Sequence, residues 1–484
     1  MYLGLDIGTS SVKAVLVDDK QVIVEQASSS QMDVHRPAPL HAEQNPDLQW
    51  WIAVNEAILT LSAKGRAAVK SIGLSGQMHG AVCLDGSDKV LRPAILWNDG
   101  RSASQCREMM ETIPDLTTIT GNLAMPGFTA PKLAWMRDNE PDLFKRTAKV
   151  LLPKDYIRLK MCGVHASDMS DSAGTLWMDV AKRDWSDDVL SQCGLSRENM
   201  PDLFEGSDIA GTLRAEIADQ WGMEKVPVAA GGGDNAAGAV GAGTINPKDG
   251  FISLGTSGVV FSADDGYLPN PSAAVHAFCH ALPGLWHRMA VILSAASAVD
   301  FVSKMTGFTE PSELFTVLDA QRPIATGPTF LPYLSGERTP HNNPSATGAF
   351  FGLTFEHAPA DLGAAAIEGV SFALADGFDA IKAAGDAPTE LSIIGGGARS
   401  TYWAEILASV FDLPLHIRDG ASVGPAFGAA RLARLGLTGE SAKSVCMPPA
   451  IEQTIVPNPE WQSQLGPRRE KFKTLYTQTK DMMS

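Results

Sequence analysis

Two stretches of the chain decide its fold: LDIGTSSV at residues 5–12 and ISLGTSGV at residues 252–259. Each predicts a β-strand, a Gly-Thr-Ser turn and a second β-strand, because alternating apolar residues flank turn-forming ones. The two stretches lie 247 residues apart in a chain of 484 residues. This internal repeat predicts two related domains that face one ligand. Two unrelated hairpins would give the same local pattern, since Gly and Ser are common turn residues.

Around these stretches, short apolar strands alternate with amphipathic helices, which predicts a mixed α/β fold. Strands are predicted at residues 2–5, 12–17, 22–24, 71–74, 226–229 and 391–394, and helices at 48–63, 363–384 and 401–411. The first three strands predict an antiparallel meander. Glycine, asparagine and proline cluster at 241–249, which predicts one domain at residues 1–245 and another at 246–484.

The composition excludes several classes of protein. With 39 Lys+Arg against 55 Asp+Glu, the net charge is −16, whereas proteins that bind nucleic acid usually carry a basic face. No run of 18 apolar residues is present, so no membrane-spanning helix is expected. Six cysteines without a C-x-x-C motif predict reduced thiols. Because no secretory signal is expected either, we predict a cytoplasmic protein.

Several catalytic motifs are absent from the sequence. The chain has no P-loop, no His-Arg-Asp with Asp-Phe-Gly, and no Gly-x-Ser-x-Gly elbow, which argues against a P-loop NTPase, a protein kinase and an α/β-hydrolase. A Rossmann dehydrogenase stays a weak alternative, because neither glycine cluster gives a good G-x-G-x-x-G fingerprint in a βαβ unit.

The two Gly-Thr-Ser turns predict a phosphate site. Backbone N–H groups and hydroxyls are exposed together in such turns, and the two turns could hold a triphosphate from both sides. Asp6 lies two residues before the first turn, where a carboxylate would bind Mg²⁺ through water molecules. A strand-end cap is its structural alternative. The second stretch has Ser253 at the matching position, so only the first turn brings an acid.

Two glycine clusters follow predicted strands and precede predicted helices. In GGGDNAAG at 231–238, Asp234 lies at a helix N-terminus, which favours its charged form. It is therefore a candidate general base, although a helix N-cap is about equally consistent with the pattern. In IIGGGARS at 393–400, the glycines would let a flat ligand such as an adenine ring lie against the backbone.

Two polar loops predict a site for a polyhydroxylated ligand. SGQMHG at 75–80 and LWNDGR at 96–101 offer hydrogen-bonding groups beside the indole of Trp97, on which a C–H face could rest. His79 alone would be interpreted as a loop histidine with satisfied hydrogen bonds. His276, His280 and His287 lack an acidic neighbour, which argues against zinc. The polar loop LPYLSGERTPH at 331–341 is expected near the cleft, without an assigned role.

The order of the motifs resembles that of the FGGY carbohydrate kinases. The matching segments are LDIGTS at 5–10, GGDNA at 232–236, SLGTSG at 253–258 and IGGGA at 394–398, with further signatures at 348–353 and 423–430. The resemblance extends from residue 2 to about residue 435. It implies a two-domain ATPase fold like that of actin, Hsp70 and hexokinase, in which duplicated ribonuclease H-like domains flank a central cleft. Residues 76–80, 97–101 and 331–341 resemble the branch of the family that phosphorylates D-xylulose.

The resemblance also implies a role for each motif. Asp234 would be the general base on the sugar hydroxyl, and Asp6 would be the acid near Mg²⁺. D-xylulose would contact Met78, His79 and Asn235 together with Asp234, and Trp97 and Asp99 would lie beside it. ATP would bind through Thr9, Ser10, Gly255 and Thr256 at its phosphates and through Gly396, Gly397, Ala398 and Ser400 at its adenosine. The first domain would thus bind sugar and phosphate, and the second would bind the nucleotide.

Some points stay open at the level of sequence. Glycerol kinases have an arginine in the first turn where Lys13 stands here, so the role of Lys13 is unassigned. The resemblance suggests a homodimer. Another pentulose or polyol kinase, such as a ribulokinase, and an actin-like nucleotide switch are the alternatives. Because the net charge is −16, anion binding must depend on local N–H groups, helix N-termini and Mg²⁺ rather than on a basic surface.

Overall fold

The computed structural model describes residues 1–419 and 424–483. In the first half of the chain the strands are β1 (Tyr2–Ile7), β2 (Val12–Val17), β3 (Ile23–Ser28), β4 (Glu43–Gln44), β5 (Ser71–Gly76), β6 (Val82–Leu84), β7 (Ala94–Ile95), β8 (Lys149–Leu151), β9 (Ala166–Asp168), β10 (Met178–Asp179), β11 (Asp184–Trp185), β12 (Asp202–Phe204), β13 (Ile209–Thr212), β14 (Pro227–Ala229) and β15 (Gly232–Gly233). The helices are α1 (Ile52–Thr60), α2 (Ala63–Ala67), α3 (Ala103–Thr112), α4 (Leu116–Thr120), α5 (Thr129–Asn139), α6 (Pro141–Arg146), α7 (Pro153–Cys162), α8 (Met169–Ala173), α9 (Asp187–Gln192), α10 (Ala215–Trp221) and α11 (Asp234–Ala242).

The second half repeats this mixture of strands and helices. Its strands are β16 (Gly250–Leu254), β17 (Gly258–Asp264), β18 (His276–Cys279), β19 (Trp286–Ile292), β20 (Thr329–Leu331), β21 (Ala349–Phe351), β22 (Leu391–Ile394), β23 (Leu415–Arg418) and β24 (Ile451–Ile455). Its helices are α12 (Ala296–Met305), α13 (Pro311–Gln321), α14 (Pro359–Ala384), α15 (Thr401–Phe411), α16 (Pro425–Thr438), α17 (Ala442–Val445) and α18 (Pro459–Thr479). Within the described residues, no helix is both long enough and apolar enough to cross a bilayer.

Two seven-stranded sheets organise the molecule. The first has the order β13-β14-β5-β1-β2-β3, with β15 beside β5, and the second has the order β18-β19-β17-β16-β22-β23-β24. From β3 to β13 the successive pairs are antiparallel, antiparallel, parallel, parallel and antiparallel. The same series runs from β19 to β24. The predicted internal repeat is therefore present in the sheet topology, and the α/β fold with two related sheets is confirmed.

Most predicted elements agree with the structure at the level of single strands. β2, β22 and α15 have the predicted bounds, and the antiparallel meander β1-β2-β3 is present. The predicted helix at 48–63 is interrupted instead. It begins as a π-helical turn, Pro46–Trp51, capped by the side chain of Asn45, and α1 ends where Leu61 becomes extended.

Helix α16 connects the two halves of the chain. It belongs to the second half by sequence, yet it packs on β1 and β5 of the first sheet and on α11. These contacts are made backbone to backbone, because a Cβ on Gly4 would lie 1.8 Å from the carbonyl oxygen of Ala426, and one on Gly428 would lie 1.7 Å from that of Ala237. Only glycine permits so close an approach.

The position of α16 bears on two predictions from sequence. In the signature at 423–430, Val423 lies outside the described residues, and Gly424 is the N-cap of α16. The predicted boundary between residues 245 and 246 falls between α11 and β16. It separates the two sheets along the chain, but α16 lies beyond it and still covers the first sheet, so the boundary stays a prediction.

Replacing Gly428 by alanine tests the close packing of α16. We expect Gly428→Ala to destabilise the protein by ~1–3 kcal/mol, because overpacking forces the two backbones apart. Gly238→Ala is the matched control on α11, since its Cβ would meet only the side chain of Pro425 at 3.8 Å. There we expect no loss, and a gain of up to ~1 kcal/mol from helix propensity. Thermal melts followed by circular dichroism would contradict this packing if the two variants melted alike.

Candidate active site

A cavity of about 340 Å³ lies between the two halves of the chain. Both halves contribute to its wall, which is lined by Met78, His79, Trp97, Met125, Gly127, Phe128, Asp234, Asn235, Ser253, Gly255, Ser257, Val259, His276, Phe278, Met289, Val291 and Arg338. Six residues that were predicted to bind ligands are therefore brought to one place: Met78, His79, Trp97, Asp234, Asn235 and Gly255. A concave, mostly apolar space with a few polar groups is typical of a small-molecule site.

Asp234 is the first residue of α11, and the glycines before it determine its position. Gly231 has φ 83°, and a Cβ there would lie 1.9 Å from the carbonyl oxygen of Leu74. Asp234 Oδ1 accepts hydrogen bonds from the backbone N–H of Asn235 at 2.7 Å and from its Nδ2 at 2.9 Å. Burial raises the pKa of Asp234 to about 6, despite these two bonds. The carboxylate is thus a base with a pKa close to neutral pH.

Asp6 lies near the end of β1, opposite Lys13 on β2 and Ser75 on β5. Its Oδ1 is buried and has no hydrogen-bond partner within the described residues. Burial raises the pKa of Asp6 to about 7, and the neighbouring charge of Asp234 adds to the rise. A buried carboxylate oxygen without a donor is a suitable ligand for a hydrated cation, so the residues present fit the predicted Mg²⁺.

No closed metal cage accompanies Asp6. Among the described residues, no group of three or more His, Cys, Asp and Glu side chains is arranged to hold a metal ion. This agrees with Mg²⁺, which usually keeps several water molecules and is bound by one or two carboxylates together with substrate phosphates.

His79 is held in one orientation and one protonation state. Its backbone adopts φ 67°, and its carbonyl oxygen accepts hydrogen bonds from Lys132 Nζ at 2.7 Å and Thr129 Oγ1 at 3.2 Å. The ring Nδ1 lies 2.6 Å from the carbonyl oxygen of Gly174, which requires Nδ1 to carry the proton. Burial lowers the pKa of His79 to about 3, so the ring is neutral. Nε2 is left as an acceptor for a ligand hydroxyl.

Trp97 links the cavity to the first glycine turn. Its Nε1 donates to Thr9 Oγ1 at 3.0 Å, and Thr9 Oγ1 donates to Gln77 Oε1 at 2.9 Å. The indole remains 44% exposed, so its face is open to a ligand. Because the hydroxyl proton of Thr9 goes to Gln77, the donors left for a phosphate are backbone N–H groups of the turn and the hydroxyl of the exposed Ser10.

Each glycine turn is closed by a backbone hydrogen bond of its glycine, to the third residue on in the first turn and to the second residue on in the second turn. Gly8 donates its N–H to the carbonyl oxygen of Ser11 at 3.1 Å, and Gly255 donates to that of Ser257 at 3.2 Å. Ser10 and Thr256 are exposed in these turns. Of the predicted phosphate contacts, only Gly255 lines the cavity itself. The turns therefore approach the cavity from its edge, where a chain of phosphates could enter.

Asp99 does not line the cavity. Its carboxylate accepts hydrogen bonds from the N–H of Ala42 at 2.5 Å and from Arg101 Nη2 at 2.7 Å, and Arg101 also pairs with Glu43 at 2.8 Å. Both carboxylate oxygens of Asp99 are engaged in this buried network. Asp99 shapes the loop that carries Trp97, and its direct contact with a sugar stays a prediction.

The second glycine cluster also lies outside the cavity wall. Gly396 opens a 3₁₀ turn, Gly396–Arg399, and a Cβ there would meet no atom within 4 Å, so its surface is free. Gly397 is packed, since its Cβ would lie 2.7 Å from the ring of Trp403. Ser400 caps α15 and donates to Asp319 at 3.2 Å. Gly396 and the half-buried Ala398 thus leave room for a ligand, whereas the hydroxyl of Ser400 is already bonded.

Sequence reasoning missed part of the cavity wall. Phe128 and Phe278 carry no signal that distinguishes them from core residues. His276 lines the cavity beside Arg338, which comes from the loop at 331–341, and its imidazole bonds to Asn122 and Arg338 instead of a metal. The only available signal was the polar character of that loop, which indicated a position near the cleft without a role.

Comparison with known proteins places these motifs in a family context. The model of the FGGY family of carbohydrate kinases, N-terminal domain, matches residues 1–241, and that of the C-terminal domain matches residues 250–437. The chain is 51% identical to a xylulose kinase of Escherichia coli (strain K12) and 49% identical to one of Klebsiella pneumoniae, in each case over 100% of both chains. A crystal structure of a "xyloylose kinase" from Brucella ovis is 48% identical, with a TM-score of 0.96 over 99% of both chains.

The proximity of Asp6 and Asp234 predicts a coupled titration. Asp6 should titrate at a pKa of about 7, and Asp234→Asn should lower that pKa, because it removes a negative charge that opposes ionisation of Asp6. The value should remain above that of an exposed aspartate, since burial persists. Carboxyl-carbon NMR of aspartate-labelled protein without metal measures the shift. The same Asp6 pKa in the wild-type protein and in Asp234→Asn would show that the carboxylates are not coupled. His79→Asn is the control: it retains both carboxylates and should keep the wild-type pKa of Asp6.

Proposed function

The chain belongs to the FGGY family of carbohydrate kinases, and we propose that it transfers the γ-phosphoryl group of ATP to the 5-hydroxyl of D-xylulose. Its identity of 51% over the full length of a xylulose kinase supports the reaction and the sugar. The observation that carries the chemistry is the position of Asp234, a base with a pKa of about 6, in a cavity edged by glycine turns. ATP is the phosphoryl donor, as is general in this family.

Asp234 acts as the general base. The 5-hydroxyl oxygen forms a bond to the γ-phosphorus, the bond from that phosphorus to the β–γ bridging oxygen breaks, and ADP leaves. Asp234 accepts the hydroxyl proton. Its raised pKa of about 6 keeps it ionised at neutral pH but close enough to pH 7 for efficient transfer. The hydrogen bonds from Asn235 engage Oδ1 of its carboxylate, which leaves Oδ2 to accept the proton.

The remaining cavity residues position the sugar. His79 Nε2 accepts a hydrogen bond from a sugar hydroxyl. The indole face of Trp97 packs against the C–H groups of the sugar. Met78 fills the space beside Gly233, whose Cβ would lie 2.9 Å from Met78 Cγ. In phosphoryl transfer the protein contributes mainly positioning and electrostatic stabilisation, so a rigid, partly apolar wall suits the reaction.

The phosphates and the metal are assigned to the first and second glycine turns. We propose that the N–H groups around Thr9, Ser10, Gly255 and Thr256 bind the phosphates, and that Asp6 holds Mg²⁺ through water. When bound, Mg²⁺ neutralises charge on the phosphates. Gly396, Gly397, Ala398 and Ser400 are proposed to border the adenosine. With a net charge of −16, ATP without Mg²⁺ should bind much more weakly.

Three further proposals concern the location of the protein, its assembly and the roles of its two domains. We propose a cytoplasmic location, which the six free cysteines support, since none is in a disulfide within the described residues. The homodimer is proposed from the family resemblance, and light scattering after gel filtration tests it. The division into a sugar-binding domain at residues 1–245 and a nucleotide-binding domain at 246–484 is proposed from the two sheets, with α16 shared between them.

A panel of sugars tests the proposed reaction. In a coupled assay with MgATP, we expect D-xylulose to have a higher kcat/KM than D-ribulose, L-xylulose, glycerol and D-arabitol, because the motifs around Met78 and Trp97 match the D-xylulose branch. Faster turnover of D-ribulose would reassign the enzyme to another pentulose. ATP-dependent sedimentation as filaments, with no sugar turnover at all, would favour a nucleotide switch instead.

The base assignment predicts a mutational and a pH effect together. Asp234→Asn should lower kcat by ~10²–10⁴-fold without unfolding the protein. In the wild type, kcat/KM should fall as the pH decreases through about 6, since protonated Asp234 cannot accept a proton. His79→Asn should keep this acid limb, because the pKa of His79 is already lowered to about 3. Near wild-type kcat in Asp234→Asn would contradict the assignment.

A further inference from the structure

We propose that Arg338 binds the ketone end of the sugar, that is, the C2 carbonyl oxygen and the adjacent C1 hydroxyl, and thereby selects 2-ketoses over the corresponding alditols. This inference rests on the proposed function and extends it to a residue of the second half of the chain. Asn122 and His276 are its positioning residues: Asn122 bonds to His276, and His276 bonds to Arg338. Neither of them is proposed to form a hydrogen bond with the sugar.

The hydrogen bonds behind Arg338 can run in only one direction. Asn122 Nδ2 donates to the carbonyl oxygens of Thr120 at 2.8 Å and Ala277 at 3.0 Å, so its Oδ1 is the acceptor side of the amide. His276 Nδ1, 2.8 Å from that Oδ1, must therefore be the donor. Nε2 of the neutral ring is then an acceptor, and Arg338 Nη1 donates to it at 3.1 Å.

Arg338 is a buried cation whose charge only the adjacent Glu337 offsets, and in part. Within the described residues, no carboxylate forms a salt bridge with its guanidinium. The adjacent Glu337 is directed elsewhere, since its Oε1 accepts from the N–H of Leu293 at 3.0 Å and from that of Arg338 at 2.7 Å. Burial raises the pKa of Glu337 to about 8, so it is mostly neutral at pH 7. An unpaired cation with free N–H donors therefore faces the cavity, where a ligand oxygen would compensate its lost hydration.

Strand register locates this cation at the end of the cavity away from the phosphates. Ser257 belongs to the second glycine turn, and Phe261 lies four residues further along β17, ~13 Å at the usual rise. Phe261 pairs with Met289, and Met289 pairs with His276. β18, which carries His276, is two strands from β17, a further ~10 Å across the sheet. His276 and the guanidinium of Arg338 bonded to it therefore lie far from the second glycine turn.

The same end of the cavity holds His79. The ring of Phe128 lies 4.8 Å from that of His79 and 5.6 Å from that of His276, measured between centroids. The charge of Arg338 also lowers the pKa of both histidines. Asp234 instead lies near Asp6, which precedes the first glycine turn. The charge of Asp234 contributes to the raised pKa of Asp6. A sugar that places its reacting hydroxyl at Asp234 thus presents its other end to Arg338.

The chemistry of a guanidinium suits a ketone in this position. Its planar N–H groups can donate in parallel to two neighbouring oxygens. A carbonyl oxygen accepts such bonds and has no proton of its own. An alditol carries a hydroxyl there, so two neighbouring hydroxyl protons, at C1 and C2, would need acceptors. His79 Nε2 can accept only one of them, and Phe128 and Phe278 provide no second acceptor. Unpaired polar groups are the strongest source of discrimination between similar substrates.

The test compares one ketose with its alditol in a matched pair of variants. For Arg338→Met, kcat/KM for D-xylulose should fall by ~10–10²-fold, the usual effect of losing hydrogen bonds to a charged group. For xylitol it should fall by far less, so the ratio between the two sugars collapses. His280→Gln, a buried histidine of the same stretch that does not line the cavity, should keep the wild-type ratio.

Each other outcome overturns the inference. An equal fall for both sugars would show a structural or general electrostatic role for Arg338, and no fall would show that it does not touch the sugar. Faster wild-type turnover of D-xylonate than of D-xylulose, lost in Arg338→Met, would mean that Arg338 binds a carboxylate. If another ketose is the true substrate, the ratio is measured with that ketose and its alditol, which separates this inference from the choice of sugar.

The positioning residues and the wild-type protein provide a second readout. His276→Leu should raise KM for D-xylulose more than it lowers kcat, and His276→Gln, which retains an acceptor, should restore part of the loss. With wild-type protein, the ¹³C resonance of D-xylulose labelled at C2 should show a bound open-chain ketone shifted downfield by the guanidinium. A bound C2 signal without that shift would overturn the inference even if Arg338→Met failed to fold.

Discussion

Helix α16 lies against β1, β5 and α11 at backbone distance, and the geometry of the cavity depends on that contact. Gly4 and Gly428 make it possible, because a Cβ at either residue would overlap a carbonyl oxygen of the facing element. β1 carries Asp6, β5 leads into the loop of Met78 and His79, and α11 begins with Asp234. The helix therefore sets the relative positions of Asp6, of the loop with Met78 and His79, and of Asp234, although none of its described side chains lines the cavity.

The electrostatics of the site follow from burial in an acidic protein. Two carboxylates share a buried region, and their pKa values rise because burial removes solvent from the charge. The charge of Asp234 raises the pKa of Asp6 further, and Lys13 offsets the rise only in part. Asp234 becomes a better proton acceptor as a result, and Asp6 is left with an oxygen that a hydrated cation would satisfy. The proposed anion binding by backbone N–H groups in the two glycine turns needs no net positive charge.

The two ends of the cavity use different kinds of polar group. Near the glycine turns the ionisable groups are the carboxylates of Asp6 and Asp234, whereas at the far end two neutral histidines in fixed tautomers lie near the guanidinium of Arg338. His79 and His276 are both held with the proton on Nδ1, by Gly174 and Asn122 respectively. Each therefore has Nε2 as an acceptor: that of His276 accepts from Arg338, and that of His79 is available to a ligand. This division suits a substrate that reacts at one end and is recognised at the other.

The sequence by itself determined the local features of this protein. The strands on both sides of each Gly-Thr-Ser turn, and Asp234 at the start of a helix, follow from periodicity and from glycine backbones, which act over a few residues. Family resemblance then supplied roles for Asp6, Met78 and His79. Only the tertiary structure decided that residues 122, 276 and 338 form one chain of hydrogen bonds. It also decided that the side chains of Asp99 and Ser400 are hydrogen-bonded to Arg101 and Asp319, respectively. Such contacts join residues far apart in the chain, and no local pattern encodes the distance between them.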